Sequence, residues 1–490
     1  MALIATELIL LAGGLLLALV GAAKRLRPHV YAWAATAICV AAAVAAALAY
    51  SGLLPQVELP TWVRASLTND WFAVFFALFA PLAGVVVCLS APAYLERYKI
   101  DHPGEFFGLI LLALSAVVLL GAAADLVTLY LGIDFLGIAA YALAGFAKRD
   151  ARSSEAGIKY FLVGAVSSAI MLYGMSLLYG LAGSTNLTTI ARRLTAGADP
   201  TALAAAMLLL VGLGFKVALV PFHMWCPDAY EGAPTPITAF LSVAPKAGGF
   251  AALLRLFLHA LPALPWGPAL ATLAGLTMTL GNFLAIPQTN IKRMLAYSSI
   301  AQAGYILIGL CVAAPSSEGV PLASFGAPSV LFYLMAYLLM NLGAFAVVIA
   351  VGNHLGSDQI SDYAGLIRRS PFLASALALF FLSLAGVPPL VGFFAKLLVF
   401  ASAIEAHYYS LAIIGVLNSV VSIYYYFNVV RLMFLQPAPS PDRLRLEPGL
   451  FTAVLVTLVL TLALGLFPHG IISASQTAAE SLLGASLPLY

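Results

Sequence analysis

The chain has 490 residues, of which 63% are hydrophobic and only 9% are charged. Soluble domains carry roughly 25% charged residues, so this composition excludes a soluble protein and predicts a surface that mostly faces lipid or other apolar helices. The net charge of +3 gives no strongly basic surface, so we expect no nucleic acid among the partners.

The first apolar segment is predicted to be a retained membrane span. Glu7 lies inside it and the first cation, Lys24, follows it, whereas a secretory signal carries its positive charge in front. Apolar runs of about 20 residues, which cross roughly 30 Å of hydrocarbon, predict about 14 transmembrane helices. In chain order these runs are 4–23, 30–51, 70–92, 105–123, 125–146, 157–181, 200–220, 235–261, 268–287, 294–314, 327–353, 371–404, 408–434 and 449–467.

Prolines interrupt two of these spans. Pro221 breaks the seventh, and Pro388 and Pro389 break the twelfth. A proline removes a backbone donor and frees a carbonyl, so a helix interrupted at membrane depth lines protein or water rather than lipid. Paired breaks are typical of transporters built from structural repeats with sites at mid-membrane, and packing kinks are the alternative.

The predicted fold is therefore an all-α polytopic membrane protein with two inverted five-helix repeats, in which helices 7 and 12 are broken. The predicted divisions are residues 1–104 (helices 1–3), 105–261 (first repeat, helices 4–8), 262–434 (second repeat, helices 9–13) and 435–490 (helix 14 and a C-terminal segment).

The basic residues indicate which side of the membrane each loop faces. Loops after odd-numbered spans hold fourteen Lys and Arg, whereas loops after even-numbered spans hold four. Because positive loops stay in the cytoplasm, both termini are predicted to lie on the non-cytoplasmic side of a bacterial inner membrane.

Four charged residues fall well inside predicted spans: Asp134, Lys216, Lys246 and Lys396. A charge near the bilayer centre costs at least about 2.5 kcal/mol, so such groups face a protein interior and often mark ion or proton paths. Lysines that snorkel to the interface are the alternative.

A lysine next to a carboxylate can act as a proton switch, since burial disfavours the charged amine and a nearby anion favours it. Polar side chains would have to relay protons between lysines, although hydrogen bonding between helices is the alternative role for each. The predicted relays are His223, Tyr305, Ser242, Ser298, Ser299 and Asn341, together with bound water.

Several motifs resemble the antiporter-like membrane subunits of respiratory complex I, and most closely the subunit N branch. The longest is Lys216-Val-Ala-Leu-Val-Pro-Phe-His-Met-Trp-Cys-Pro-Asp-Ala-Tyr-Glu-Gly-Ala-Pro-Thr-Pro, which continues to Lys246. Further matches are Ser154-Glu-Ala-Gly-Ile-Lys159, Thr289-Asn-Ile-Lys-Arg293 with the residues after it, and Gly386-Val-Pro-Pro-Leu-Val-Gly-Phe-Phe-Ala-Lys396. They cover the middle two-thirds of the chain.

The resemblance implies roles for four residues in proton translocation: Asp134 as the acidic partner of Lys216, Lys246 as the bridging lysine, and Lys396 on the exit side. Two positions depart from the family. Asp134 replaces the usual Glu, which shortens its reach toward Lys216, so contact would need a water or a small helix shift. Gln302 stands where the family often has His, so a relay there would work by hydrogen bonding alone.

The resemblance implies a proton-translocating membrane-arm subunit of a complex I-type NADH:quinone oxidoreductase, working beside homologous antiporter-like subunits. The chain has no nucleotide-binding motif and its four cysteines are scattered singly, so FMN, iron–sulfur clusters and quinone are expected in partner subunits. The alternatives are an Mrp-type cation/proton antiporter, the homologous subunit of a membrane-bound hydrogenase and, least favoured, a solute transporter.

Overall fold

A computed structural model describes residues 2–24, 26–51, 60–194, 199–313, 325–438, 443–444 and 446–484. Two of the cations that predict sidedness, Arg25 and Arg445, lie outside these ranges. The first half contains helices α1 (Ala2–Ala23), α2 (Pro28–Tyr50), α3 (Thr61–Ser66), α4 (Trp71–Ser90), α5 (Pro92–Arg97), α6 (Pro103–Ala122), α7 (Leu126–Ala144), α8 (Ala151–Ala182), α9 (Leu187–Arg193), α10 (Pro200–Val217), α11 (Trp225–Gly232) and α12 (Thr235–Leu254), which a π-helix continues over Arg255–Ala260.

The second half contains helices α13 (Gly267–Ala285), α14 (Ile291–Val312), α15 (Gly326–Leu355), α16 (Leu366–Arg369), α17 (Pro371–Ala385), α18 (Val391–Glu405), α19 (Tyr409–Leu435), α20 (Pro448–Leu466) and α21 (His469–Leu482), with a 3-10 turn at Ile360–Tyr363. In the described ranges, thirteen helical segments are long and apolar enough to cross a membrane.

The all-α polytopic fold is thus confirmed, and the difference from the expected fourteen spans comes from one segment. The predicted twelfth span consists of α17 and α18, which have 15 residues each and are separated by residues 386–390. Neither is long enough to cross about 30 Å of hydrocarbon alone.

Several helices begin with a polar residue whose side chain caps the helix N-terminus. Asp70 accepts a hydrogen bond from Ala73 N at the start of α4, and Asp125 accepts one from Thr128 N at the start of α7, each at 2.8 Å. Such caps satisfy backbone donors that a helix N-terminus leaves free. Proline in the first turn of α6, α10, α17 and α20 serves the same end, because it lacks the donor.

Three helices form the centre of the bundle. Every residue of α12 is buried, as are nearly all residues of α14 and α15. The outer helices α1, α2, α8 and α19 expose rows of Leu, Val, Ile and Tyr side chains. A bundle with an apolar exterior buries its polar groups inside, so the few charges on the central helices face other helices.

Both helix breaks provide backbone groups with new partners. After α10, residues 218–224 are not helical, and Trp225 Nε1 donates to the carbonyl of Phe215 at 3.0 Å. After α17, Gly386 adopts a φ of 92°, which glycine tolerates, and Gly392 N then donates to Ser383 Oγ at 3.1 Å. The Val220–Pro221 and Pro388–Pro389 peptide bonds are cis.

Candidate functional site

Lys216 lies in the last turn of α10, directly before the first break, and is 1% exposed. Its Nζ has no hydrogen-bond partner among the described residues and lies 5.5 Å from the centroid of the Tyr141 ring. A side chain at Gly137 would place its Cβ 3.1 Å from this nitrogen, so the glycine leaves room for the amine. A charged amine in this position requires a partner, because an isolated buried charge is costly.

Asp134 lies one turn before Gly137 on α7 and is partly buried. Its carboxylate accepts a hydrogen bond from Ser168 Oγ of α8 at 2.6 Å. Asp134 and Lys216 therefore approach the same stretch of α7 without a direct bond in the part of the chain that the structure describes. That a water or a helix shift joins Asp134 to Lys216 stays a prediction.

Lys246 lies in the middle of α12 and is 1% exposed. Its Nζ donates to the backbone carbonyl of Ser299 on α14 at 2.5 Å. One turn further along α12, Gly249 packs against Lys216: a Cβ at Gly249 would lie 3.2 Å from Lys216 Cγ. The stem of Lys216, which belongs to α10, therefore contacts α12 about one turn from Lys246.

Ser242 lies one turn before Lys246 on the same helix. Its hydroxyl accepts a hydrogen bond from Asn341 Nδ2 of α15 at 2.6 Å and donates to the carbonyl of Ala239 at 2.7 Å. Two of the predicted relays thus contact each other beside Lys246.

Four predicted relays form a buried polar stripe along α14: Ser298, Ser299, Gln302 and Tyr305. Residues three or four apart lie on one helix face, and the stripe rises about 9 Å from Ser299 to Tyr305. It begins at the carbonyl that binds Lys246 and ends at Tyr305, whose ring centroid lies 4.8 Å from Lys396 Nζ.

Side chains of neighbouring helices complete this stripe, and the sequence analysis did not identify them. The contacts are Tyr337 Oη donating to Ser299 Oγ at 2.8 Å, Tyr333 Oη donating to Gln302 Oε1 at 2.5 Å, a hydrogen bond between the hydroxyls of Ser298 and Tyr426, and Asn282 Nδ2 donating to Tyr305 Oη at 3.0 Å. The sequence feature that could have indicated these contacts is the presence of tyrosine and asparagine inside long apolar spans, since their buried polar atoms require partners.

Lys396 lies on α18, just after the second break, and is 4% exposed. Its Nζ donates to the carbonyl of Ala385 and to Ser419 Oγ, each at 2.8 Å. Ala385 is the last residue of α17, so its carbonyl has no partner further along that helix. The stripe reaches the same break, because Gln302 Nε2 donates to the carbonyl of Leu384 at 3.1 Å.

His223 is the predicted relay that lies apart. It is half-buried in the first break, next to Met224, which is 74% exposed. Its Nδ1 has no partner within the described ranges. The sequence alone could not separate it from the other relays, since it shares the break with Lys216.

The described residues contain no group of three or more His, Cys, Asp or Glu side chains that could hold a metal ion. All four cysteines are buried free thiols. The site that the structure does assemble is a line of amines, hydroxyls and amides in the protein interior. Groups of this kind can exchange and relay protons.

Comparison with known proteins identifies a family that matches much of the chain. Residues 123–422 match the family described as "NADH:quinone oxidoreductase/Mrp antiporter, TM". The matched range includes the two breaks, the three buried lysines and the α14 stripe.

Individual relatives are similar over most of their length. The NADH-quinone oxidoreductase subunit N of Desulfitobacterium hafniense is 43% identical over 426 residues, which cover 85% of this chain and 86% of the relative. That of Moorella thermoacetica is 45% identical, covering 84% and 85%. A chain of respiratory complex I from Thermus thermophilus with bound aureothin superposes with a TM-score of 0.80 at 34% identity, covering 96% of this chain and 99% of that one. The chain therefore belongs to the NADH:quinone oxidoreductase/Mrp antiporter transmembrane family, and within it to the antiporter-like N subunits of NADH-quinone oxidoreductase.

Proposed function

We propose that this chain is a proton-translocating membrane-arm subunit of a complex I-type NADH:quinone oxidoreductase, and that protons pass along Asp134, Lys216, Lys246 and Lys396. One observation carries the proposal: three nearly inaccessible lysines are linked through two central helices. α12 carries Lys246 and contacts the stem of Lys216 one turn away, and the α14 stripe runs from the carbonyl bound by Lys246 to the ring beside Lys396.

Polar groups line the proposed path from Lys246 to Lys396. Ser242 and Asn341 lie beside Lys246, and Ser299, Gln302 and Tyr305 lead toward Lys396. Hydroxyl groups both donate and accept hydrogen bonds, whereas the amides of Asn341 and Gln302 orient water and hydroxyls. A water or a small helix shift is needed between Lys216 and Asp134, because the two side chains have no direct bond.

The energy for transport comes from partner subunits in this proposal. Flavin, iron–sulfur clusters and quinone would be bound there, and electron transfer would change the charge and packing along the membrane arm. The neighbours of this chain would be other membrane-arm subunits, including homologous antiporter-like chains. The family relatives are subunits of an enzyme complex, and here the chain itself is assigned no redox step.

For orientation, we propose the inner membrane of a bacterium, with both termini on the non-cytoplasmic side. The support is the excess of Lys and Arg in loops that follow odd-numbered spans. The loop between α13 and α14, with Lys292 and Arg293 beside it, would then face the cytoplasm. Cysteine labelling of single exposed loop positions from each side would test this orientation.

The proposal is tested by the number of protons pumped per electron in the assembled, reconstituted complex carrying Lys246→Ala. We expect a lower ratio, because the substitution removes the amine between the two halves of the path. Quinone reduction in the presence of an uncoupler, which partner subunits perform, reports intact assembly. A full ratio in an assembled Lys246→Ala complex would contradict the proposal.

The second candidate is an Mrp-type cation/proton antiporter, because the matching family includes both kinds of protein. Purified alone in proteoliposomes, such an antiporter should exchange Na⁺ or K⁺ for H⁺. A complex I subunit should show little exchange and should co-purify with flavin and iron–sulfur subunits. Co-purification with a nickel–iron subunit would instead favour a membrane-bound hydrogenase.

A further inference from the structure

Charged residues of three sequence motifs, none of them on the proposed path, meet at one place in the fold. Glu155 and Lys159 lie on the first turns of α8, Asp228 and Glu231 lie on α11, and Arg293 lies on the first turn of α14. Together they line a cavity of about 170 Å³. Asp228 meets Lys159, about 70 positions earlier in the chain, and Arg293, 65 positions later. We call the five charged residues the α11 cluster.

The α11 cluster joins one short helix to two long ones. Lys159 Nζ lies 2.8 Å from Asp228 Oδ2 and 2.7 Å from Glu155 Oε1. Arg293 Nη1 lies 2.8 Å from Asp228 Oδ1 and 2.8 Å from Glu231 Oε2. Both acidic residues of α11 are thus paired, with cations supplied from α8 on one side and α14 on the other.

Other side chains of α11 contact residues that lie next to Lys216 and Lys246, two lysines of the proposed path. Trp225 Nε1 donates to the carbonyl of Phe215, the residue before Lys216. Tyr230 Oη donates to the carbonyl of Leu241 at 3.2 Å and lies 3.4 Å from Ser299 Oγ. Any displacement of α11 therefore reaches the first break and the residue whose carbonyl binds Lys246.

We propose that Asp228, Glu231, Lys159 and Arg293 are positioning residues, which clamp α11 so that the environments of Lys216 and Lys246 are coupled. This inference rests on the proposed function, because it assigns the clamp to the same proton path. The clamp acts through α11, and its side chains do not take up the transported proton.

The charge state of Asp228 agrees with a clamp. Burial by itself raises the pKa of this carboxyl, but hydrogen bonds from Lys159 and Arg293 outweigh burial and hold the pKa below its ordinary value. A carboxyl that remains ionised at neutral pH holds two cations steadily and is poorly suited to accept a proton. The stabilisation is present above the unfolded pKa and is lost only as the pH falls through the lower folded pKa.

The test uses the assembled, reconstituted complex with Arg293→Gln, which removes two of the four contacts. Hydrogen–deuterium exchange over residues 218–232 and the number of protons pumped per electron are both measured. Because the ion pairs are partly exposed, we expect exchange to accelerate about tenfold, with a lower proton ratio. Uncoupled quinone reduction reports assembly, and the milder Asp228→Asn provides the measurement if Arg293→Gln does not assemble.

Two further variants separate positioning from general damage. Arg293→Lys should restore slow exchange and the proton ratio, since both contacts of Arg293 come from a single nitrogen that an ammonium group can replace. Arg149→Gln is the matched control: it removes an exposed ion pair to Asp101, at 3.0 Å, that does not involve α11. It should change neither quantity.

Unchanged exchange over 218–232 in Arg293→Gln would overturn the clamp, and accelerated exchange with a full proton ratio would overturn its role in coupling. Failure of the proposed function has a different signature: Lys246→Ala would keep the full proton ratio, whatever the exchange over 218–232 shows.

Discussion

The two helix breaks place a buried lysine in opposite circumstances. At the second break, Lys396 has two hydrogen-bond acceptors, including the carbonyl of Ala385 that the break itself frees. At the first break, the carbonyl of Phe215, two residues before the end of α10, accepts a hydrogen bond from Trp225 Nε1, and Lys216 Nζ has no hydrogen-bond partner within the described residues. The same sequence pattern, a lysine near an interrupted helix, therefore gives a hydrogen-bonded amine at Lys396 and an amine without a hydrogen bond at Lys216.

This difference indicates separate roles for the two lysines. A fixed backbone dipole holds Lys396 in one arrangement, whereas Lys216 depends on a partner that must approach, and Asp134 on α7 is the candidate. A pump requires at least one group whose surroundings change during the cycle. We propose that this change takes place at the first break and that the second break provides a steadier binding position.

The largest expected effect is that of Lys216→Ala, which removes the group whose surroundings are proposed to change. Positioned proton-transfer groups contribute roughly 100-fold or more to rates, so we expect coupled pumping to fall at least about tenfold. The measurement is the initial rate of proton pumping attributable to this subunit in reconstituted complex. Lys99→Ala, which alters an exposed lysine outside the path, is the control; an equal loss in both variants would contradict the assignment.

Lys396→Ala should impair pumping less, by a few fold, because the carbonyl of Ala385 and the hydroxyl of Ser419 remain in place to hold water. Ser419→Ala alone should have a still smaller effect, since Lys396 keeps its backbone acceptor. The initial rate of pH change in proteoliposomes distinguishes the two variants. A larger loss in Ser419→Ala than in Lys396→Ala would show that the serine, not the lysine, carries the exit step.

Gly137→Ala tests the room around Lys216. The added methyl group would lie 3.1 Å from Lys216 Nζ and 3.0 Å from Tyr141 Oη, so the amine or the ring must move. A shift of a few tenths of an ångström in either group relieves this contact, so we expect a displaced amine and a modest loss of pumping in assembled complex. Gly180→Ala on α8, which meets nothing within 4 Å, is the matched control and should pump normally.

Asp134→Glu should have the smallest effect. The extra methylene lengthens a side chain whose carboxylate now accepts a hydrogen bond from Ser168 Oγ at 2.6 Å. If the short side chain of Asp134 merely weakens its interaction with Lys216, Asp134→Glu should leave pumping unchanged or raise it. A sharp loss, measured as protons per electron, would mean that the site is built around Asp and its bond to Ser168.

Sequence patterns predicted the helical fold and the positions of the charged groups well, because both follow from local hydrophobicity. Charges at 216, 246 and 396 are conspicuous in apolar runs, and prolines at 221 and 388 mark the non-helical segments. The span count differed at 371–404, where the sequence shows one long apolar run and the structure has two short helices.

The contacts between helices could not be predicted, since one sequence holds no information on which helix faces are neighbours. Tyr333, Tyr337 and Tyr426 looked like ordinary apolar-helix residues until their hydroxyl groups met the α14 stripe. Conversely, His223 shares the first break with Lys216 in sequence, yet lies near the surface. Side-chain direction, not position along the chain, separates these cases.

The most direct test is a structure of the assembled complex, at a resolution that shows water, in two redox states. Our account predicts that Lys216 Nζ is bonded to Asp134 or a bridging water in one state and has a different partner or none in the other, while Lys396 stays on the carbonyl of Ala385 in both. Identical surroundings of Lys216 in the two states, or a Lys216 side chain that reaches bulk solvent or lipid headgroups, would contradict it.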